Sequence, residues 1–373
     1  MIYFDNAATG GFKTNASLEA VNSAVRFLSA NPGRSGHRLS VTGAEIVYKC
    51  REKLANFFNA SASRVIFTKN CTESLNTAIF GALKVGGHII TTALEHNSVL
   101  RPLSYLQSKG LISLDIIFNT ENIVKSIAEK IRSDTYMVIT SGASNVTGEV
   151  LPVCDIGALC NKKGILYVVD GAQAGGHIDL DIKRDNISML CLAGHKGLYG
   201  IMGSGVLILN DNINLNPLMF GGTGTESLST NQPTTYPERL ESGTLNLPAI
   251  ASLSEGIRFV SNNFKMHEQI LKGYTASLID ALKENGKITL YSAPNPVGIV
   301  SFKVSGKDSL EIADILNSDY DIAVRGGFHC APLTHKKLGT ENEGLVRVSL
   351  AVQNSTRELS FFVRAINEIT RFI

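Results

Sequence analysis

The chain has 373 residues, 44% of them apolar and 18% charged, with a formal net charge of +2. That is the profile of a globular protein with a sizeable core, and the length favours two domains. Near-neutral charge, the absence of Trp and the lack of a basic cluster interleaved with aromatics argue against a nucleic-acid partner. No apolar run approaches the roughly 20 residues of a membrane span, and Met1–Asn6 does not read as a signal peptide. The six cysteines form no CxxC pair and do not read as a disulfide framework or zinc ribbon, so a reducing cytoplasm is expected.

In chain order, helix is expected over Ala44–Phe58, strand over Arg64–Thr68, helix over Glu73–Leu83 and strand over His88–Thr92. Helices at Ser98–Lys109 and Glu121–Arg132 follow, the latter with Ile123, Ile127 and Ile131 on one face. Then come strand Met137–Thr140, helix Asp155–Lys163 and strands Ile165–Asp170, Met189–Leu192 and Gly205–Leu209. The strands are β-branched and apolar on both faces, as strands covered by helices should be. This alternation implies an α/β fold with a large, mostly parallel sheet, whose ligands bind at the carboxyl ends of strands. The long Gly-, Thr- and Ser-rich loop Phe220–Ser242 reads as functional.

After Ala249 the pattern changes to a smaller α+β unit. A long helical stretch, Ile250–Phe264 and then Met266–Leu282, leads to strands near Ile288–Tyr291 and Gly298–Val304. A helix Leu310–Leu316, strands Ile322–Arg325 and Leu345–Leu350, and a closing helix Ser355–Phe372 complete it. The expected division is a large domain over residues 15–249 and a small one from 1–14 with 250–373.

Chemistry gathers at strand ends. Asp170 closes the buried strand ILYVVD, where a carboxylate needs a cationic or donor partner; a helix N-cap would also account for it. Lys196 sits in a Gly-bounded turn after the next strand, a place that also suits a solvated surface lysine. Together they suit pyridoxal phosphate, the Asp keeping the pyridine nitrogen protonated and the Lys forming the imine. A desolvated Lys can also act as a base at Cα. Asn70-Cys71-Thr72 opens a helix whose free N–H groups make a phosphate cup or a plain cap. His96 could stack on a cofactor ring or be structural, and the Asn145 amide could donate to the cofactor phenolate or a substrate carboxylate.

Seven segments carry a resemblance: NPGRSGH (31–37), EHNSVL (95–100), ASNVTGE (143–149), VVDGAQA (168–174), AGHKGLYG (193–200), RLESGTLN (239–246) and AVRGGFHCAPL (323–333). In this order the chain resembles the NifS/SufS-like cysteine desulfurases and selenocysteine lyases, class V aminotransferase-like pyridoxal-phosphate enzymes of fold type I. The resemblance implies that Lys196 carries the cofactor, Asp170 holds its ring nitrogen, Gln173 its phenolate oxygen, and His96 stacks on the ring. It implies phosphate contacts from Thr72 and His195, and from Thr244 across a homodimer. Asn145 and Arg347 would hold the substrate carboxylate, with Arg325 nearby; a planar guanidinium fork suits that task. Two departures stand out: Asn70-Cys71 where the family usually has Gly-Thr or Gly-Gly, and Ala193 where it usually has Ser, which implies the loss of one phosphate donor. The Gly inserted in GHKGLYG implies a side branch.

Cys330 lies in a polar, Gly-containing loop with Arg325 and His329 nearby, which would favour the thiolate. A small buried residue, or a zinc ligand with His329 and His335, are the other readings; no further ligand pair has suitable spacing, so no metal is expected. The short GGFHCAP loop resembles the SufS-like group. The implied reaction converts L-cysteine to L-alanine with a persulfide on Cys330, sulfur passing to an acceptor protein, as in iron–sulfur cluster assembly. Selenocysteine lyase, or a cysteine/cystine C–S lyase giving pyruvate, remain alternatives.

Overall fold

A computed structural model describes residues 1–371. A short strand β1 (Ile2–Tyr3) leads through an N-terminal loop to helices α1 (Asn15–Phe27) and α2 (Arg38–Phe58). The sheet region then runs β2 (Val65–Thr68), α3 (Cys71–Gly81), β3 (Gly87–Thr92), α4 (Asn97–Ser108), β4 (Ile112–Ile117), α5 (Ile123–Lys130) and β5 (Thr135–Ser141). It continues with α6 (Val153–Lys163), β6 (Leu166–Asp170), β7 (Met189–Ala193) and β8 (Gly205–Leu209). The 7-stranded sheet has the order β2-β8-β7-β6-β5-β3-β4. Only β8 runs against the others, pairing antiparallel with β2 and β7.

The sheet separates two cores. Alternation along β6 shows how: Tyr167 and Val169 enter one core with α2, α6 and the start of α7, whereas Val168 enters the other with α3 and α4 residues such as Leu75 and Leu103. Burial on both faces explains the near-continuous apolar strands.

Helix α7 (Leu247–Lys283) is one unbroken element of 37 residues, where the long helical stretch was expected in two segments. Asn246 caps it, accepting from the Ala249 N–H at 3.2 Å. Its first turns place Leu247, Ile250, Leu253 and Ile257 in a sheet core; its last turns place Leu271, Leu278, Ile279 and Leu282 in a separate core. At 1.5 Å per residue it reaches about 55 Å. The second core also takes residues from β10 (Ile299–Val304), α8 (Ser309–Tyr320), β12 (Val346–Ser349) and α10 (Thr356–Arg371), with β9 (Ile288–Leu290) at the sheet edge in the order β12-β10-β9. The first strand returns to this region: β1 pairs parallel with β11 (Ile322–Ala323), and helix α9 (Pro332–Leu338) follows it.

Strand β1 was not expected, and neither were three further elements. Helix α1 buries only Ser17 and Ala24 among its 13 residues and leaves Leu18, Val25 and Phe27 exposed, so it lacks a clear apolar stripe. Strand β4 is an edge strand paired with β3 alone, with half-buried residues and Asp115 in its middle. Helix α9 is a single short stretch behind Pro332. The expected strand Ile322–Arg325 stops at Ala323 and resumes only as an isolated bridge from Arg325 to Arg347. Position 372 of the expected closing helix lies outside the described residues. Among those described, no helix is long and apolar enough to cross a membrane.

Candidate active site

Because β2, β3, β5, β6 and β7 point the same way, their carboxyl ends share one edge, and residues that follow them line a single cavity of about 220 Å³. Its walls hold Cys71, Thr72, His96, Asn145, Asp170, Gln173, His195, Lys196, Arg325 and Arg347, as the sequence predicted. Strand β8 begins at this edge, and Gly205 is required there. A Cβ on Gly205 would lie 2.5 Å from the Asn70 carbonyl carbon, against the turn that starts α3. A second close approach joins the two central turns: a Cβ on Gly197 would sit 2.4 Å from the Gly175 oxygen, and one on Gly176 (φ +85°) 2.2 Å from the Gly197 oxygen. The inserted glycine thus lets the turn after Asp170 pack against the turn that carries Lys196.

Asp170 is buried, and its Oδ1 accepts from the Ala172 N–H at 2.9 Å and the Cys71 thiol at 3.4 Å. No cation pairs with it among the described residues. Lys196, on the adjacent turn, forms no ion pair among those residues either. Burial holds its amine below the ordinary lysine range, against the opposing pull of Asp170. A buried carboxylate without a counter-ion beside an unpaired, half-buried amine is a costly arrangement in isolation. It fits a bound ring that brings an N–H⁺ for the acid and an aldehyde for the amine.

The rest of the wall fits the same group. Asn70 caps α3 by accepting from the Glu73 N–H at 2.9 Å, which leaves the N–H groups of Cys71 and Thr72, at the helix start, without an intrahelical partner. Thr72 Oγ1 and His96 Nδ1 each lie 2.8 Å from Ser98 Oγ. The Ser98 N–H donates to His96 Nδ1 at 3.0 Å, which leaves the ring proton on Nε2. Burial also lowers the His96 pKa, favouring a neutral imidazole. His195 Nδ1 sits 3.1 Å from Thr9 Oγ1, and burial with Lys196 and Lys13 nearby pushes its pKa down to about 4. Gln173 is oriented by donation to the Ala7 carbonyl at 3.0 Å.

On the opposite wall, Arg347 is 1% exposed and donates to Asp5 Oδ1 at 2.8 Å and to the Asn145 carbonyl at 3.0 Å. Its buried Nε has no hydrogen-bond partner among the described residues. Asn145 donates to the His329 carbonyl at 2.7 Å. Asp5, Ser98, Thr9 and the Ala7 carbonyl were not foreseen in these roles. Asp5 and Arg347 are separated by nearly the whole chain, so no local pattern could pair them.

Cys330 is exposed beside this wall, its Sγ 3.8 Å from Arg325 Nη2. His329 and Cys330 both have positive φ (51° and 58°), a conformation that costs a non-glycine residue about 1 kcal/mol. The loop is pinned by Asn97 N–H to the Cys330 carbonyl at 2.8 Å, by Asn145 to His329, and by Thr334 Oγ1 to the Ala93 carbonyl at 2.9 Å. The expectation that His329 supports a thiolate is corrected. Its ring is buried, faces the Leu345 carbonyl through Nε2 at 3.1 Å, and burial with the Arg347 charge pushes its pKa down to about 2. It carries no positive charge for the thiol. Of the residues foreseen, Thr244 alone stands apart, exposed and within 3.4 Å of Asn31 Nδ2, away from this cavity.

A lysine and an acid on neighbouring strand ends, over a helix N-terminus in a mostly parallel sheet, define a pyridoxal-phosphate enzyme of fold type I. The chain belongs to the Aminotransferase class-V family, whose pattern it matches over residues 2–362. It is 33% identical to a probable cysteine desulfurase of Pyrococcus abyssi, covering 100% of this chain and 94% of that protein. It is 29% identical to a cysteine desulfurase of Salmonella dublin, with coverage of 100% and 94%. Among solved structures, an apo cysteine desulfurase from Thermococcus onnurineus superposes with a TM-score of 0.93 at 32% identity, covering 100% of this chain and 95% of that one. The cysteine desulfurase CsdA from Escherichia coli, in an S-sulfonic acid form, gives 0.89 at 25% identity, covering 100% and 95%.

Proposed function

We propose that the protein is a cysteine desulfurase that converts L-cysteine to L-alanine and takes the sulfur onto Cys330. The observation that carries this reading is the pinned Cys330 loop, which holds an exposed thiol next to Arg325 on the wall of the cavity that contains Lys196 and Asp170. When bound, pyridoxal phosphate supplies an electron sink that labilises the substrate's Cα proton and its C–S bond.

Lys196 holds the cofactor and, with its lowered pKa, moves the Cα proton through Nζ. With pyridoxal phosphate bound, Asp170 would keep the proton on the ring nitrogen, His96 would stack on the ring, and Gln173 would bond the phenolate oxygen. The α3 N-terminus with Cys71 and Thr72, together with His195, would hold the phosphate. Arg347 and Asn145 receive the substrate carboxylate, with the Arg347 Nε–H free to donate. Cys330 Sγ attacks the substrate sulfur: the S–S bond forms as the C–S bond breaks, and the carbon is protonated to alanine.

We further propose a homodimer in which Thr244 reaches the partner's phosphate, and an acceptor protein that removes the persulfide sulfur. The short loop supports placement in the SufS-like group. We also propose the division into residues 15–249 and residues 1–14 with 250–373, supported by the separate core of the second unit, with the first turns of α7 as far as Ile257 joining the sheet core across the boundary.

The test is Cys330→Ser. A serine hydroxyl attacks sulfur poorly, so alanine production should fall by several powers of ten while cofactor binding and the spectral response to cysteine persist. Pyruvate formed by the variant at the wild-type rate would mean a C–S lyase instead.

A further inference from the structure

The first residue of α3, Cys71, has a side chain that points at neither solvent nor Thr72. Its thiol is buried and lies 3.4 Å from Asp170 Oδ1. The Ala172 N–H donates to that same oxygen at 2.9 Å, so both protein donors converge on Oδ1. We propose that Cys71 is a positioning residue for Asp170: its S–H fixes the rotation of the carboxylate and leaves Oδ2 to the ring nitrogen of the cofactor. This rests on the pyridoxal-phosphate reading of the site.

The chemistry favours a donor at this position. Burial, with Asp170 next in weight, raises the thiol pKa well above its ordinary value, so sulfur keeps its proton and gives it to the carboxylate. A thiolate would instead face Asp170 across 3.4 Å with no cation between them. Carboxylate oxygens accept readily, and a second donor on Oδ1 opposes rotation about the Cβ–Cγ bond. The Cys71 backbone belongs to the helix N-terminus, whereas its side chain serves the ring end. One residue thereby links the two ends of the cofactor site.

The experiment uses holoenzyme and reads cofactor release, not turnover. Cys71→Ala removes the donor, and release should quicken roughly three- to tenfold, the size of one modest hydrogen bond. Cys71→Ser restores a donor and should stay within about twofold of wild type. Reloading each protein with the cofactor analogue in which the ring nitrogen is replaced by C–H should abolish the Cys71→Ala effect, because Oδ2 then has no N–H to meet. An infrared S–H band, present in wild type and absent from Cys71→Ala, should lie at lower frequency than that of the exposed Cys154 thiol. If the Cys71→Ala effect persists with the analogue, the thiol acts through the phosphate cup and the proposal is overturned. The same holds if Cys71→Ser releases cofactor as fast as Cys71→Ala, or if the band matches that of Cys154. Wild-type protein that takes up no cofactor at all overturns the underlying reading too, which separates the two failures.

Discussion

Among the described residues Lys196 is the only lysine on the cavity wall, and its lowered pKa follows from burial that Asp170 only partly offsets. Lys196→Ala is therefore expected to abolish the borohydride-sensitive visible band of the purified protein; a variant that retains the band would show that another amine carries the cofactor. His329 gives a pH prediction. Its folded pKa is about 2, far below the ordinary 6.5, so as pH falls through 6.5 the unfolded chain takes up a proton that the folded chain refuses. Stability is thus lost on acidification, by about 2 kcal/mol from this group between its ordinary pKa and about pH 5. Urea unfolding of His329→Gln should show a loss smaller by that amount over the same interval. Equal losses in both proteins would mean that the imidazole is accessible to protons. Sequence reasoning assigned His329 a cationic role because it adjoins Cys330, and adjacency in the chain says nothing of which way a ring turns. Here it turns inward, to the Leu345 carbonyl.

At the scale of elements, the start of β8 sets the position of α3. Gly205 pairs with Thr68 and Ala193, and its missing Cβ leaves room for the backbone of Asn70. Gly205→Ala should push the α3 N-terminus away from the cavity and weaken cofactor binding by roughly tenfold, the scale of one lost charge-assisted contact. Titration of apoprotein with pyridoxal phosphate measures this, and unchanged affinity would show that the turn yields at no cost to the phosphate cup. The sheet strands were legible because burial on both faces forces continuous apolar runs. Helix α1 and strand β4 were not, because each lies at an open edge of the fold, where apolar residues such as Leu18, Val25 and Phe27 of α1 stay exposed and the middle of β4 is only half-buried. The continuity of α7 was hidden for a related reason: its apolar stripe changes core partway along, from the sheet to the second unit.

For the whole molecule, the loop before α7 leaves Met219, Phe220 and Leu228 exposed, and Thr244 lies outside its own chain's cavity. Apolar exposure of this kind marks an association surface. The protein is expected to sediment as a dimer, and Phe220→Asp to shift it towards monomer with loss of cofactor. An active wild-type monomer at working concentration would refute the dimer and the role of Thr244 with it.

The sequence alone determined the α/β class, the strand-end placement of Asp170, His96, Asn145 and Lys196, and the cysteine on the loop after Arg325. These are readable locally, since a buried strand has a composition of its own and its carboxyl end is where a parallel sheet offers free backbone and space. Only the tertiary structure decided which partner each group faces: Asp5 on Arg347, Cys71 on Asp170, Asn145 holding the Cys330 loop, and His329 turned into the core. All but the last of those pairings join residues far apart in the chain. Hydrogen-bond direction and burial are set by the packing of whole elements, which no local pattern encodes.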